Sequence, residues 1–349
     1  MADTVSLAKS ANWTAGKADL KSATALGFAP EGVLLVGDST AGKVYALDTG
    51  DTAQGAPGKL EITDLTGKIA ALLGTSADQI RVPDVAVNPL SGNVYIAVAR
   101  GAGADADALI LKADRAGKLS ELSLSNIRYL SVDLTSTVDH DAKDQRGNPT
   151  RGDTVTDIGF VDGKVIVAGL SNEEFASTLR AINFPFDGKC QGAGIEIYHG
   201  AHGRYETNAP IRTFMRYVVD GKESILASYT CTPLVKIPVS DLQPGAKVKG
   251  TTIAELGNMN RPLDMIAYEK GGHKYILMAN SNRGVMKLDA DNLEQYHEIT
   301  DRVPATKGVP YETIAGLEGV RRLDKVDDQS ALVMISADDK LSLQTIALP

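Results

Sequence analysis

Two histidines and one cysteine could form a transition-metal site in this chain of 349 residues. His199 and His202 are separated by a glycine and an alanine, a flexible spacer that lets both imidazoles turn toward one point. Cys231 follows a predicted strand, and His140 lies in a long predicted loop. Imidazole and thiolate are ligands of zinc and copper. We therefore predict a metal site that uses some of His199, His202, Cys231 and His140. The alternative is that these loop histidines are solvated or hydrogen-bonded and bind no metal.

A second group of polar residues could bind a small ligand or a hard cation through oxygen. Asp84, Asp157 and Asp264 stand at equivalent positions ahead of three predicted turns. Further polar residues follow predicted second strands: Asn172, Glu173, Asn280, Asn282 and Arg283. Calcium takes six to eight oxygen ligands of this kind. The alternative is that the aspartates bond to backbone amides, as Asx residues do. Converging carboxylates need a cation, an arginine or amide donors among them.

The elements that must position these residues are short strands in a repeated unit. Each unit is an apolar strand, a tight turn and a more hydrophobic strand, and the turns are centred at residues 32, 92, 163, 221, 272 and 328. Quasi-regular spacing along a whole chain is typical of a radial repeat, and four strands per repeat make a propeller blade. Helical periodicity is confined to residues 66–80.

We therefore predict an all-β fold, a six-bladed β-propeller in one domain over residues 1–349. The predicted blades cover about 20–65, 80–135, 152–200, 210–257, 260–300 and 315–349, the last joined by residues 3–9. A seventh blade stays open as an alternative if residues 127–135 belong to a separate blade. Pairing of residues 4–9 with residues 341–348 would close the ring and cover an exposed sheet edge.

Two segments resemble known propeller repeats. Residues 42–50, GKVYALDTG, resemble the repeat of quinoprotein-type propellers, and residues 91–97, SGNVYIA, are similar to strands of the YVTN and NHL propeller families. The resemblance covers a few residues per blade and implies the fold alone. In that fold, the loops that enter the first strands and leave the second strands share one face, where ligand sites usually form.

Composition and charge narrow the classes of function. The net charge is −8, from 36 basic and 44 acidic side chains, and no basic cluster is present, which argues against nucleic acid as a partner. No apolar run is long enough for a membrane span. The opening Met-Ala-Asp-Thr resembles the start of a mature exported protein, so we expect a periplasmic or secreted location, with the cytoplasm as the alternative.

Two functions follow as hypotheses. The first is an exported binding or assembly propeller that presents its polar channel mouth to a small molecule or a protein partner. The alternative is a metal-dependent enzyme at the same mouth, either a calcium-type lactonase-like hydrolase or a copper or zinc site that uses the histidines. The predicted separation of Cys190 from Cys231 argues against a disulfide between them.

Overall fold

All six predicted turns join the first two strands of a sheet. The computed structural model describes residues 12–55, 58–103 and 106–349. In two of these turns, Asp162-Gly163 and Asp220-Gly221, both residues adopt left-handed backbone, with φ of 47° and 73° in one and 52° and 70° in the other. Asp-Gly in this conformation gives the type I′ turn, whose twist matches that of the flanking strands. The strong turn signals in the sequence therefore form tight hairpins.

The sheets surround a central channel as the six blades of a β-propeller, which confirms the predicted fold. We number the blades by the order of their first strands along the chain. Blade one consists of Ala25–Ala29, Val33–Asp38, Lys43–Asp48 and Ile127–Asp133, with Thr14–Gly16 on its outer edge. Blade two consists of Val85–Val87, Val94–Arg100, Asp107–Ala113 and Leu119–Glu121, and Ile80–Arg81 also pairs with its second strand. Blade three consists of Asp157–Val161, Lys164–Leu170, Ser177–Asn183 and Ala193–His199, with Arg204–Glu206 and the parallel strand Lys247–Lys249.

The remaining three blades lie in the second half of the chain. Blade four consists of Ile211–Val219, Lys222–Tyr229, Pro233–Pro238, Thr251–Glu255 and Lys307–Gly308. Blade five consists of Pro262–Lys270, His273–Asn280, Val285–Asp289 and Tyr311–Ile314. Blade six consists of Val320–Lys325, Ser330–Ala337, Lys340–Ala347 and Glu61–Ile62.

Helices are few and short in the described part of the chain. The α-helix Leu65–Leu73 covers about the first half of the region of predicted helical periodicity and ends at Gly74, whose φ is 65°. In the same described part, short 3-10 helices are formed by Pro30–Gly32, Ala77–Gln79, Arg151–Thr154, Val239–Asp241 and Leu293–Gln295. Among the described residues, no helix has the length and apolar character needed to cross a bilayer.

The second strands form the core because each blade packs against a neighbour on both faces. Val33–Asp38 is buried at every position, and Lys164–Leu170 at every position but the first. A strand covered on both sides reads as a continuous apolar run rather than an alternating one. This explains why the second strand of each predicted unit is the more hydrophobic one.

The order of blades around the ring differs from their order along the chain. The first strand of blade two lies between those of blades six and one, and blade one lies next to blade three. The contact between blades one and three is close, since a Cβ at Gly27 would lie 2.7 Å from the carbonyl oxygen of Ile158. The ring order is therefore one, three, four, five, six, two.

Two outer strands accordingly belong to other blades than we predicted. Ile127–Asp133 pairs with Lys43–Asp48 and completes blade one rather than blade two or a seventh blade. Glu61–Ile62 pairs with Gln344 and Leu343 and completes blade six rather than blade one. The physical reason is that the edge of a three-stranded sheet accepts any neighbouring extended segment, and the ring order decides which segment is near.

One further boundary differs, and one prediction falls outside the described residues. Blade five extends beyond residue 300, because its outer strand is Tyr311–Ile314. Residues 4–9, predicted to close the ring, lie outside the part that the structure describes. Within that part, Glu61–Ile62 occupies the outer edge of the last blade at Leu343 and Gln344.

Candidate functional site

The strand directions bring the predicted metal ligands to one face of the propeller. We call the face where first strands begin and second strands end the front face, and the face that carries the six hairpin turns the back face. His199 ends the fourth strand of blade three, and Cys231 follows the second strand of blade four. Both strands run toward the front face, and blades three and four are neighbours in the ring.

His199, His202 and Cys231 form a compact group. One ligand atom from each of the three residues lies within 4.8 Å of the others. The two imidazole rings are tilted by 37° with their centroids 3.9 Å apart. The two histidines are hydrogen-bonded into place by a single carboxylate, because Glu206 Oε2 lies 2.8 Å from His199 Nδ1 and Glu206 Oε1 lies 2.8 Å from His202 Nδ1. Nε2 of each ring is therefore the nitrogen left for a further ligand.

Glu206 is held as an anion by its surroundings. The side chain is nearly buried, and Arg204 Nε donates a hydrogen bond to Oε1 at 2.9 Å. Burial alone would raise the pKa of Glu206, but the hydrogen bonds from His199, His202 and Arg204 outweigh it and lower the pKa to about 2. The carboxylate therefore accepts from both rings and fixes their orientation. Sequence reasoning missed Glu206, although it stands four residues after His202 on a short strand.

Two polar atoms close to this group lack a hydrogen-bond partner within the described part of the chain. His199 is 2% exposed, and its Nε2 has no partner. Glu255 is also buried; its Oε1 accepts from the amide of Gly200, and its Oε2 has no partner. Burial raises the pKa of Glu255 to about 7. A buried polar atom without a partner costs about 1–3 kcal/mol, so such atoms tend to occur where something binds.

Cys231 occupies a strained turn between the second and third strands of blade four. Cys231 and Thr232 both adopt left-handed backbone, with φ of 68° and 58°. The Cys231 amide donates to the carbonyl of Asn260 at 2.6 Å, and Thr232 Oγ1 donates to the carbonyl of Gly257 at 2.8 Å. Non-glycine residues in this region cost on the order of 1 kcal/mol or more and persist only where surrounding contacts hold them. The loop before blade five thus fixes the position of the thiol.

The other predicted metal ligand and the second cysteine lie apart from this group. His140 is exposed in the loop before blade three and is not brought to the other ligands. The prediction that His140 could join the site is therefore wrong: its loop extends into solvent. Cys190 is buried, and its Sγ donates to the carbonyl of Asp133 at 2.6 Å. Both cysteines are free thiols, as their predicted separation indicated.

The predicted aspartates connect neighbouring blades. Oδ1 of Asp84, Asp157 and Asp264 accepts from the amide of the next residue in its own strand. Oδ2 of each accepts from an amide of the adjacent blade: Leu26 at 2.7 Å, Phe214 at 2.7 Å and Leu323 at 3.1 Å, respectively. A fourth residue, Asp324, does the same, with its Oδ2 2.7 Å from the amide of Val87. We call these four residues the aspartate clasps.

The clasps favour the alternative interpretation, in which the aspartates bond to backbone amides, over that of calcium ligands. Every oxygen of Asp84, Asp157 and Asp264 already has an N–H donor, and Arg322 Nε lies 3.1 Å from Asp84 Oδ1. Amide donors and an arginine therefore lie among the convergent carboxylates, although burial and the neighbouring Asp84 still raise the pKa of Asp264 well above its usual range. This arginine, Arg322, was not among the candidate residues predicted from the sequence.

The other predicted ligand-binding residues are separated into two places. Asn172 and Glu173 are exposed beside residue 136, where Ser136 Oγ donates to Glu173 Oε1 at 2.7 Å. The remaining three bond to the loop before blade five. Their contacts there are Asn280 with Asn260, Asn282 with the carbonyl of Met259, and Arg283 with the carbonyl of Asn258. They are not brought to the aspartate clasps but support the loop that holds Cys231.

The central channel contains two cavities. The larger, about 510 Å³, extends toward the back face and is lined by the aspartate clasps together with apolar residues such as Phe28, Phe214 and Met265. The smaller, about 210 Å³, lies at the front mouth and is lined by Arg212, Arg261 and Arg322. The mouth that we predicted to be rich in carboxylates thus carries guanidinium groups.

Comparisons with known proteins concern the fold alone. Among solved structures, the chain is similar to a putative oxidoreductase (glucose dehydrogenase) from Thermus thermophilus, with 11% identity over 96% of this chain and 100% of that chain and a TM-score of 0.38. It is also similar to a streptogramin B lyase, with 11% identity over 96% and 97% of the two chains and a TM-score of 0.36. No protein-family model and no curated protein matches the chain.

Proposed function

We propose that this protein is a metal-binding β-propeller that holds a zinc or copper ion at its front face through His199, His202 and Cys231. The observation that carries the proposal is the convergence of the three ligand atoms within 4.8 Å, with one carboxylate fixing both imidazoles. A histidine that binds a metal ion almost always has its other ring nitrogen held by a carboxylate, a carbonyl or water. Glu206 meets this requirement for two ligands at once.

The burial of His199 Nε2 supports a bound metal ion over a network of ordinary hydrogen bonds. His199 Nε2 is enclosed and has no partner among the described residues. A metal ion would satisfy this nitrogen and would neutralise the thiolate of Cys231. Two imidazoles and a thiolate are a ligand set that zinc and copper share, whereas calcium and magnesium prefer oxygen.

The coordination geometry leaves room for a further ligand. Three protein ligands are one fewer than a closed tetrahedral zinc site has. The His202 side chain is 45% exposed, so the group opens to solvent at the front face. An exchangeable position favours the binding of a small molecule on the ion. It also favours the second candidate, a metal-dependent enzyme in which the ion activates water or a substrate.

Metal analysis of untagged protein tests the proposal. We expect one equivalent of zinc or copper to remain after dialysis, and added Co²⁺ to give a thiolate-to-cobalt charge-transfer band. Cys231→Ser and His202→Gln are expected to weaken metal binding at least about a hundredfold, since each removes one of three ligands. His273→Gln is the matched control, because His273 is exposed and pairs with Asp291 near a back-face turn. Equal metal binding by Cys231→Ser and the unmodified protein would overturn the proposal.

Glu206→Gln tests the role of the shared carboxylate. Glutamine can accept from only one of the two rings, so one imidazole loses its fixed orientation. We expect the affinity for Zn²⁺ to fall by about 10–100-fold while the stoichiometry stays the same. Competition with a chromophoric chelator measures the affinity. Glu298→Gln, at a surface ion pair with Lys249, is the control and should bind Zn²⁺ as the unmodified protein does. An unchanged affinity in Glu206→Gln would show that the carboxylate does not position the ligands.

A further inference from the structure

The front mouth of the channel concentrates positive charge in a protein whose net charge is negative. Arg212, Arg261 and Arg322 all line the cavity of about 210 Å³ at this mouth. They come from three neighbouring blades, since Arg212 and Arg322 lie near the beginnings of first strands and Arg261 directly precedes one. The ring of blades, and no local sequence motif, brings them together.

Two of the three guanidinium groups are held in place by the protein. Arg212 Nη1 lies 2.7 Å from Asp153 Oδ1. Arg322 donates from Nε to the carbonyl of Pro83 at 2.9 Å and from Nη1 to the carbonyl of Leu263 at 3.2 Å, in addition to its contact with Asp84. A guanidinium whose orientation is already fixed loses little freedom when it binds an oxyanion through its planar fork of N–H donors.

The third guanidinium has no such partner. Arg261 is exposed at the mouth, and its side chain forms no hydrogen bond and no ion pair with the described residues, although it lines the same cavity as Arg212 and Arg322. Although the residue is exposed to solvent as a whole, partial burial of its guanidinium, together with the two neighbouring arginines, lowers the pKa of Arg261. Arg212 and Arg322 each pair with a carboxylate, Asp153 and Asp84 respectively, whereas no such pair forms with Arg261 among the described residues. A bound anion would remove this repulsion.

We propose that this arginine-lined mouth binds a small oxyanion, that is, a phosphate or carboxylate group of a small molecule. Charge-assisted hydrogen bonds from guanidinium groups are the usual means by which proteins hold such groups. The cavity of about 210 Å³ suits a small molecule rather than a macromolecule. The inference does not depend on the metal site, because none of the three arginines is a proposed ligand.

The two sites adjoin on the front face. Arg212 Nε donates to Thr230 Oγ1 at 3.4 Å, and Thr230 directly precedes Cys231. On the other side, the carbonyl of Asn260, which accepts from the Cys231 amide, belongs to the residue before Arg261. An anion held by the arginines would therefore lie close to the proposed metal ion.

Calorimetric titration with inorganic phosphate and with malonate tests the proposal. The titrations use Cys231→Ser protein freed of metal with a chelator and then dialysed, so that coordination of the anion to a bound metal contributes nothing. We expect saturable binding of at least one of the two anions, weakened by added salt. Binding of phosphate alone would assign a phosphate group, and binding of malonate alone would assign a carboxylate. Binding of neither anion at millimolar concentration would overturn the proposal.

Arg261→Gln, made in the same background, locates the binding at the mouth. We expect it to weaken anion binding at least about tenfold and Arg261→Lys to restore part of the affinity. Because the Arg261 side chain makes no hydrogen bond among the described residues, the substitution should leave the unfolding midpoint unchanged. Arg146→Gln is the matched control, since Arg146 is exposed in the loop before blade three. Equal loss of affinity in Arg261→Gln and Arg146→Gln would also overturn the proposal.

Discussion

Asp84→Ala is expected to reduce the free energy of unfolding by about 3 kcal/mol. The substitution removes the acceptor for two backbone amides, Val85 and Leu26, and the anion beside Arg322. The Leu26 amide belongs to blade one, so the contact between two blades is lost along with the local one. Removing one member of a partly buried charged pair is costly because the other member keeps its desolvation penalty.

Urea unfolding of Asp84→Ala and of a matched control checks this expectation. Asp328→Ala is the control, because its carboxylate is 93% exposed and pairs with Lys325 on the surface. Exposed ion pairs contribute little, so the control should change the unfolding free energy by less than about 0.5 kcal/mol. If Asp84→Ala and Asp328→Ala unfold at the same urea concentration, the aspartate clasps do not hold the blades together.

Raising the pH from about 5 to about 7.5 is expected to destabilise the fold by several kcal/mol, on the order of 6. Burial in the channel raises the pKa of Asp157 to about 7 and that of Asp324 to about 6, and burial raises the pKa of Glu255 to about 7. These values lie above the ordinary 3.8 and 4.5, so the folded state holds more protons than the unfolded state in this range. The stability that these groups contribute is therefore greatest at a pH below their ordinary pKa values. It is lost as the pH rises through their raised pKa values in the folded state.

Asp157→Asn isolates one of these groups. Asparagine keeps the size of the side chain and cannot titrate, so the variant should lose roughly a third of the dependence on pH. Glu206, whose pKa is lowered to about 2, stays ionised in this range and contributes no slope. Thermal unfolding at closely spaced pH values measures the effect. Both proteins compared carry His273→Gln, which removes a histidine whose pKa is raised by Asp291. A melting temperature that rises with pH over this range would contradict the assignment.

Much of the fold could be predicted from the sequence because its signals are local. A tight turn such as Asp162-Gly163 is set by neighbouring residues that tolerate positive φ, and the hydrophobicity of the adjoining strand reflects burial on both faces. These two signals recur along the chain, so the number of blades follows from counting. The alternation of strand direction also predicts that His199 and Cys231 lie on one face, where the structure places them.

The part of the site that depends on pairs of distant residues could not be predicted in this way. Glu206 lies near His202 in the sequence, but only the edge strand Arg204–Glu206 turns its carboxylate onto both rings. The arginines of the channel mouth come from three blades, and no spacing between them marks their convergence. The aspartates were recognised, yet their donors, such as the amide of Leu26 for Asp84, lie in another blade.

Local sequence patterns are enough to predict the inner strands, the hairpin turns, the number of blades and the face on which His199, His202 and Cys231 lie. The packing of the whole ring sets the order of the blades, the sheets that Glu61–Ile62 and Ile127–Asp133 complete, and the contacts of the channel carboxylates with amides and Arg322. The difference arises because some contacts are local in the sequence and others are not. Turns and burial patterns are encoded within a few residues, whereas a sheet edge offers the same backbone hydrogen bonds to any extended segment, so its partner is selected by the packing of the whole ring.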